Sequence, residues 1–333
     1  MDALSDVLQT IRLDGAMYIS ARFTAPWCIH AQFGLRRASK GLPRSDHITF
    51  FHVLVDGACE ARLVDGRDTV ELDPGDVLLF PNNHLHLLGS DVSRAPAEIE
   101  PNNDCGVAQI EHGGGGKPTH CICGYLAFDP RICRPLIGGL PQMLKIPLAG
   151  DADGAWLLQL LRVGVEESAA QKPGAPMLLA KLAELTFVEA MRRYASSLPA
   201  EQRGWLAGLR DQHVGRALAL LHGAPTRAWT VDDLAREVGL SRSALAERFV
   251  DLIGEPPMQY LIRWRLALAA QRLRTGESIA HVAEHCGYDS EASFNRAFKR
   301  EFGQPPGRYR SDHKKSPSRR AGGHLEASAK LDD

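Results

Sequence analysis

Two groups of residues in this 333-residue chain have the types and spacing to do chemistry. The first lies between Thr230 and Arg310. There Arg242, Ser243, Ala246 and Glu247, and then Glu291, Ala292, Asn295, Arg296 and Lys299, recur at the offsets of outward helix faces. Guanidinium and ammonium groups, together with free N–H groups at helix N-termini, hold phosphate oxygens, and outward side chains reach base edges. The second group lies in the front half. His84-x-His86 on a strand would place two imidazoles on one face, His52 would add a nitrogen, and His112 or His120 is a further source. Cys121-x-Cys123 has the same spacing and would add thiolates, which together make a metal-ligand set. A plainer reading stands beside it, with His84 buried against backbone carbonyls and the cysteines as small core residues.

The elements that must position the first group are helices, laid out twice in the same order. Thr230 with Asp233 reads as a capping pair, and Val231, Leu234, Ala235 and Val238 form the apolar face of the helix that follows. Gly239 breaks that helix, and Ser241 caps a second one with Leu245, Phe249 and Leu252 inward. Ser278 then starts a helix with Ile279, Val282, Ala283 and Cys286 inward. Gly287 turns the chain, and Ser290 caps a helix with Phe294, Phe298 and Phe302 inward. Between the two units, Pro257 to Thr275 predicts one helix that buries Leu261, Trp264, Leu268 and Leu273 and turns Arg263, Arg265 and Arg272 to solvent. About 18 residues at 1.5 Å each span roughly 27 Å. Successive major grooves on one face of a duplex lie about 34 Å apart. Such a helix can therefore hold two reading helices close to one DNA turn apart.

The second group sits in a β-rich half. Residues 47–55, 58–64, 69–72 and 77–80 are strand-like and separated by Asp56-Gly57, Asp65-Gly66 and Asp73-Pro74-Gly75-Asp76, which suit tight turns. A polar loop over 89–103 and a flexible tip at Gly113 to Gly116 flank two more strands, Cys105–Glu111 and His120–Phe128. This spacing predicts an antiparallel sandwich or small barrel. Leu157, Leu160, Leu161 and Val165 then fall at helical spacing, as do Leu178, Leu179, Leu182, Leu185, Val188 and Met191 after the break at Pro173-Gly174-Ala175-Pro176. Those faces can cover their own domain or meet a second copy of the chain.

Composition agrees with a soluble two-domain protein, at 44% hydrophobic and 24% charged residues. The net charge of −1 hides a split: the first 204 residues are acidic by five charges and the remainder basic by four. That suits a ligand domain joined to one that approaches phosphates. The start of the chain has no basic-then-apolar leader, and no apolar run reaches the roughly 20 residues that cross a bilayer. Seven cysteines, an odd number unevenly spaced, fit a reducing cytoplasmic setting with free or metal-bound thiols.

The stretch TVDDLAREVGLSRSALAERFVDLIGEPPMQYLIRWRLALAAQRL, followed by SIAHVAEHCGYDSEASFNRAFKREFGQPPGRYR, resembles the AraC/XylS family of bacterial transcription regulators over about 105 residues. The resemblance implies base reading by Ser243, Ala246 and Glu247 in one helix and by Glu291, Ala292, Asn295 and Arg296 in the other, with Arg242 and Lys299 on phosphates. The small or acidic side chains in the first reading helix depart from the family, whose members often carry larger polar or basic ones there. Glu247 can accept from a cytosine amine or pair with an arginine. Residues 3–195, with Phe51-His52-Val53, Asp73-Pro74-Gly75-Asp76-Val77 and Phe80-Pro81-Asn82-Asn83-His84, resemble the cupin-type sensor of a subset of that family. This resemblance implies a small barrel whose interior holds a ligand, at His52, His84 and His86, or a metal, at His84, His86, Cys121 and Cys123.

The expected fold is therefore α+β in two domains. Residues 1–200 would form an antiparallel cupin-like β-barrel with linker helices, residues 205–310 an all-α double helix-turn-helix domain, and residues 311–333 a disordered tail. The expected function is a sequence-specific DNA-binding regulator under small-molecule control, not an enzyme, acting on promoter DNA as a homodimer, with RNA polymerase as a further partner. The residues assign no cofactor and leave activation or repression open. A cupin dioxygenase with an accessory DNA module is the enzyme alternative. Against it, the strand with His52 lacks the second histidine of an enzymatic cupin motif, although Glu60 lies further on. An architectural DNA binder without an effector is the third class.

Overall fold

The computed structural model describes residues 3–10, 18–32, 47–99, 108–128, 130–199 and 201–314. The chain divides into two compact units, Met1–Gly223 with Val231–Pro257, and Ala224–Thr230 with Met258–Asp333. Along the first unit run α1 (Ala3–Thr10), β1 (Tyr18–Thr24), β2 (Cys28–Ala31), β3 (His47–Asp56), β4 (Cys59–Leu63), β5 (Thr69–Leu72), β6 (Asp76–Phe80), β7 (His86–Gly89), β8 (Ala108–Gly113) and β9 (Pro118–Phe128). They are followed by α2 (Pro130–Ile137), β10 (Leu144–Pro147), α3 (Ala152–Ala169), α4 (Ala175–Ser197), α5 (Trp205–Arg210), α6 (Gln212–Gly223), α7 (Val231–Val238) and α8 (Arg242–Ile253). The second unit contains α9 (Pro257–Arg274, from its second residue), α10 (Ile279–His285), α11 (Glu291–Phe302) and α12 (Pro306–Lys314).

The strands form a six-stranded sheet in the order β10-β6-β3-β9-β1-β8 and a four-stranded sheet in the order β2-β7-β4-β5. Central strands β3 and β9 are buried on both faces, which is why they read as nearly unbroken apolar runs instead of alternating ones. One face of β9 gives Cys121, Cys123, Tyr125 and Ala127 to a core shared with Phe50, Leu54, Ala61, Leu72 and Leu88. Its other face meets α4, where Phe128 and Phe187 lie 6.3 Å apart ring to ring. Helix α4 packs along α3, and the two approach closely at Gly164, where a Cβ would sit 2.8 Å from a Leu182 methyl. Leu157, Leu161, Val165, Leu179, Leu182 and Met191 are buried; Leu160, Leu178 and Val188 are half-buried, and Leu185 is exposed.

Four expectations change. Among the described residues the two sheets do not close into a barrel, and they are not wholly antiparallel, because β1 pairs β8 in parallel. The cause is geometric: β8 and β9 run in opposite directions on either side of β1, so one of them must run parallel to it. The glycine tip between them is pinned instead of loose, since Gly114 N–H donates to the Thr24 carbonyl at 2.9 Å and Gly116 N–H to the Ala25 carbonyl at 2.8 Å. A short helix, α1, precedes the strands and packs on α6. Helix α12 continues four residues past Arg310 to Lys314; the expected disorder beyond it falls on residues 315–333, outside the described residues. Among the described residues, no helix is long and apolar enough to cross a membrane.

Candidate nucleic-acid interface

Helices α8 and α11 begin where the repeat places them. Ser241 Oγ accepts the Ala244 N–H at 3.2 Å and starts α8, and Ser290 Oγ accepts the Ser293 N–H at 3.2 Å and starts α11. The turns before them use Gly239 and Gly287 at φ of 76° and 74°, which a residue with a Cβ rarely adopts. In the first unit Leu234, Ala235, Val238, Leu245 and Phe249 are buried, while Val231 and Leu252 are half-buried. In the second, Val282, Ala283, Cys286, Phe294, Phe298 and Phe302 are buried, and the rings of Phe298 and Phe302 stack at 4.4 Å. Tyr309 closes over that stack from α12, and its hydroxyl accepts the Arg274 Nε–H at 3.0 Å.

The outward faces follow. On α8, Arg242, Ser243 and Glu247 are exposed and Ala246 is half-buried. Arg242 pairs with Asp232 at 3.3 Å, both side chains more than half exposed; such surface pairs contribute about 0–1 kcal/mol, so a phosphate can replace the carboxylate. On α11, Glu291, Ala292, Arg296 and Lys299 are exposed and Asn295 is half-buried. Among the described residues, Glu247, Arg296 and Lys299 make no ion pair, which leaves their charges available to an incoming ligand.

Two arginines hold the scaffold in ways the periodicity did not reveal. Arg248, on α8, donates to Asp211 from Nε at 2.9 Å and from Nη2 at 2.5 Å, and Asp211 also accepts the N–H groups of His213 and Val214 at the start of α6. Burial raises the Asp211 carboxyl, but the Arg248 guanidinium and the two amides more than reverse this and hold it below the usual range. Arg265, expected to face solvent, is half-buried and donates to the carbonyls of Pro225 at 2.6 Å and Arg227 at 2.9 Å. Arg263 and Arg272 are half-buried as well. Long side chains of this kind cover apolar surface with their stems, which hydrophobic periodicity does not register.

The front-half candidates sort differently. His52 on β3 lies opposite Cys123 on β9 in register, with Nδ1 2.9 Å from its sulfur, and His52 Nε2 lies 2.7 Å from His86 Nε2 on β7. His86 Nδ1 in turn lies 2.9 Å from the His84 carbonyl oxygen. The partners fix the protons. A carbonyl only accepts, so His86 carries its proton on Nδ1 and accepts at Nε2; His52 must then donate from Nε2 and accept at Nδ1, where the Cys123 thiol donates. Every member of this buried chain is satisfied while neutral. Burial, then the neighbouring His86, holds His52 well below the ordinary imidazole range, and burial lowers His86 from 6.5 to about 4. Burial raises the Cys123 thiol, which keeps its proton in place.

His84 stands before β7, in the connection that follows β6, so the alternation that would pair it with His86 on one strand face does not operate there. Its Nδ1 is buried with no hydrogen-bond partner among the described residues. Cys121 shares its strand face with Cys123 and lies beside Cys59. Among the described residues, His84, His86, Cys121 and Cys123 do not bring three ligand atoms within 4.8 Å of one another. His120 bonds Ser20 Oγ at 3.0 Å, Glu60 accepts the Val92 N–H at 3.4 Å, and His112 is exposed on β8. Six cysteines are buried; Cys105 lies outside the described residues.

Comparison with known proteins finds two family matches along the chain. Residues 2–196 match the cupin family and residues 234–312 a helix-turn-helix domain family. The chain is 34% identical over 316 residues to a putative AraC-like transcription regulator of Streptomyces lividans, covering 93% of this chain and 98% of that one. It is 29% identical over 325 residues to the HTH-type transcriptional regulator AlkR of Acinetobacter baylyi, covering 93% and 99%. Among solved structures it is similar to ToxT of Vibrio cholerae O395 at 13% identity and a TM-score of 0.34, covering 89% of this chain and 97% of that one.

Proposed function

We propose, for a chain that belongs to the AraC-like family of transcription regulators, that α8 and α11 read promoter DNA while the cupin-like half senses a small molecule. The observation that carries the reading is the pair of serine-capped helices whose outer faces present Arg242, Ser243 and Glu247 on α8, and Glu291, Ala292, Arg296 and Lys299 on α11. Ser243, Ala246 and Glu247, with Glu291, Ala292, Asn295 and Arg296, would meet base edges, and Arg242 and Lys299 would meet phosphates. In this reading residues 1–200 sense and assemble, residues 205–310 bind DNA, and the protein works in the cytoplasm by binding, not catalysis, as its relatives' names as regulators support.

The effector would act at His52, His84 and His86, because polar groups in an otherwise apolar core are where an incoming ligand finds partners. Control requires that ligand to bind the DNA-competent and incompetent arrangements unequally. Pairing of two copies through the α3–α4 face is supported by Trp156, Met177 and Leu185, which are 62%, 65% and 45% exposed. Selection of bound sites from a random DNA pool with the full chain tests the central claim. Enrichment of one motif that fades with Arg296→Ala supports it, and recovery of unenriched DNA from the wild type overturns it.

A further inference from the structure

Helix α10, the first helix of the second helix-turn-helix, carries His281, Glu284 and His285, all exposed. The spacing i, i+3, i+4 brings their side chains together on one face of successive turns. One ligand atom from each lies within 4.8 Å of the others, and the two imidazole rings are 3.9 Å apart, tilted by 53°. His285 Nδ1 is 2.9 Å from the His281 carbonyl oxygen, so in the neutral ring Nδ1 carries the proton and Nε2 keeps its lone pair. This backbone bond sets tautomer and ring orientation, as an outer contact does for a metal-ligating histidine. Glu277, one turn back, places a carboxylate oxygen 3.7 Å from His281 Nε2. It adds negative charge beside the ring, although it also pairs with Arg272 at 3.2 Å.

We infer that His281, Glu284 and His285 form a surface site for a divalent late-transition cation, of which Zn²⁺, Ni²⁺ and Cu²⁺ are the representatives. Two imidazole nitrogens and one carboxylate suit these ions, with water completing the coordination, whereas Mg²⁺ and Ca²⁺ require oxygen donors. All three residues belong to the second unit, and none of them is among the residues assigned to DNA. A bound cation would tie together the last turn of α10, immediately before the Gly287 turn that leads into α11.

The test is equilibrium dialysis of the chelator-stripped full chain at pH 7.5 against Ni²⁺, alongside the His281→Gln/His285→Gln variant and His281→Gln alone. The interior thiols and histidines are the same in all three proteins, so the difference in uptake reports α10. The double variant should bind one equivalent fewer. The single variant should bind that equivalent more weakly by at least the 10- to 100-fold typical of losing a supporting contact. With Cu²⁺, the resonance splitting from two coordinated nitrogens should vanish in the double variant while the far-ultraviolet dichroism stays unchanged. Equal uptake and affinity in wild type and double variant, or no uptake by the wild type, overturns the site.

Discussion

Nε2 of His52 and Nε2 of His86 lie 2.7 Å apart, so a hydrogen bond between two neutral imidazoles joins the six-stranded sheet to the four-stranded one across the core. Burial keeps both rings uncharged, and this gives the stability of the first unit a particular pH dependence.

In the unfolded chain both rings take up protons as the pH falls through about 6.5. In the folded chain His86 does so only near 4, and His52 resists more strongly. Between those values the unfolded state binds more protons, so stability rises with pH there and is lost as the pH falls. Urea unfolding at pH 7 and pH 4.5 should reveal a loss on the order of 3 kcal/mol per such group at most. His86→Gln should reduce the slope by one ring's share, leaving the part from His52, which burial also lowers, and from His222, which burial lowers to about 3. Identical profiles for wild type and His86→Gln would contradict the neutral pair.

The proton order assigned to Cys123 separates two substitutions of similar size. Cys123→Ala removes the terminal donor and leaves His52 Nδ1 unsatisfied in the core, at a cost of about 1–3 kcal/mol. Cys123→Ser keeps an O–H that can donate along the same line and should cost less. Chemical denaturation of the two variants ranks them, and a serine variant as unstable as the alanine one would mean that the thiol does not donate.

On α11, Arg296 and Lys299 should part company in DNA titrations. Loss of Arg296 should cost about 1–3 kcal/mol on the selected site and relax preference at one position, the behaviour of a base contact. Lys299→Ala should weaken all sequences alike and reduce the salt slope by about 1. If both variants match the wild type on specific and unrelated DNA from low to moderate salt, the reading face lies elsewhere.

The glycine tip allows a paired comparison. An added Cβ at Gly113 would lie 2.0 Å from the Thr24 carbonyl oxygen, with φ at +145°, whereas at Gly115, φ +83°, nothing lies within 4 Å. Gly113→Ala must therefore displace backbone in the β1–β8 pairing, while Gly115→Ala carries only a left-handed backbone cost of roughly 1–2 kcal/mol. Melting temperatures should fall further for Gly113→Ala, and equal effects would show that the tip is not held as described.

The helical half was readable because its signals are local. A serine cap, apolar residues three and four apart, and a glycine at the turn each constrain only their neighbours, and α7 through α11 begin within a residue or two of where those signals fall. Strands β3 to β6, β8 and β9 were legible for the same reason, but the order of the sheets was not: the parallel partnership of β1 and β8 joins residues about ninety positions apart, which no local pattern encodes. The interior histidines fall between these cases. Alternation suggested His84 with His86, whereas cross-strand register and the packing of one sheet on the other joined His52, His86 and Cys123. Arg248 was not singled out and Arg265 was expected in solvent because their partners, Asp211 and the carbonyls of Pro225 and Arg227, lie 37 to 40 residues away along the chain.

The grip of Arg265 on those two carbonyls shapes how the protein can be cut. Residues 224–230 group with the second unit although they lie, in sequence, between α6 and α7 of the first, so the polypeptide passes back and forth between the units three times. A fragment begun at Met258 would keep α10 and α11 yet strip Arg265 of its acceptors, and one ended at Pro257 would carry residues 224–230 without Arg265. A piece that keeps the Arg265 clasp must therefore begin ahead of Ala224, and its backbone then runs through both helix-turn-helix modules.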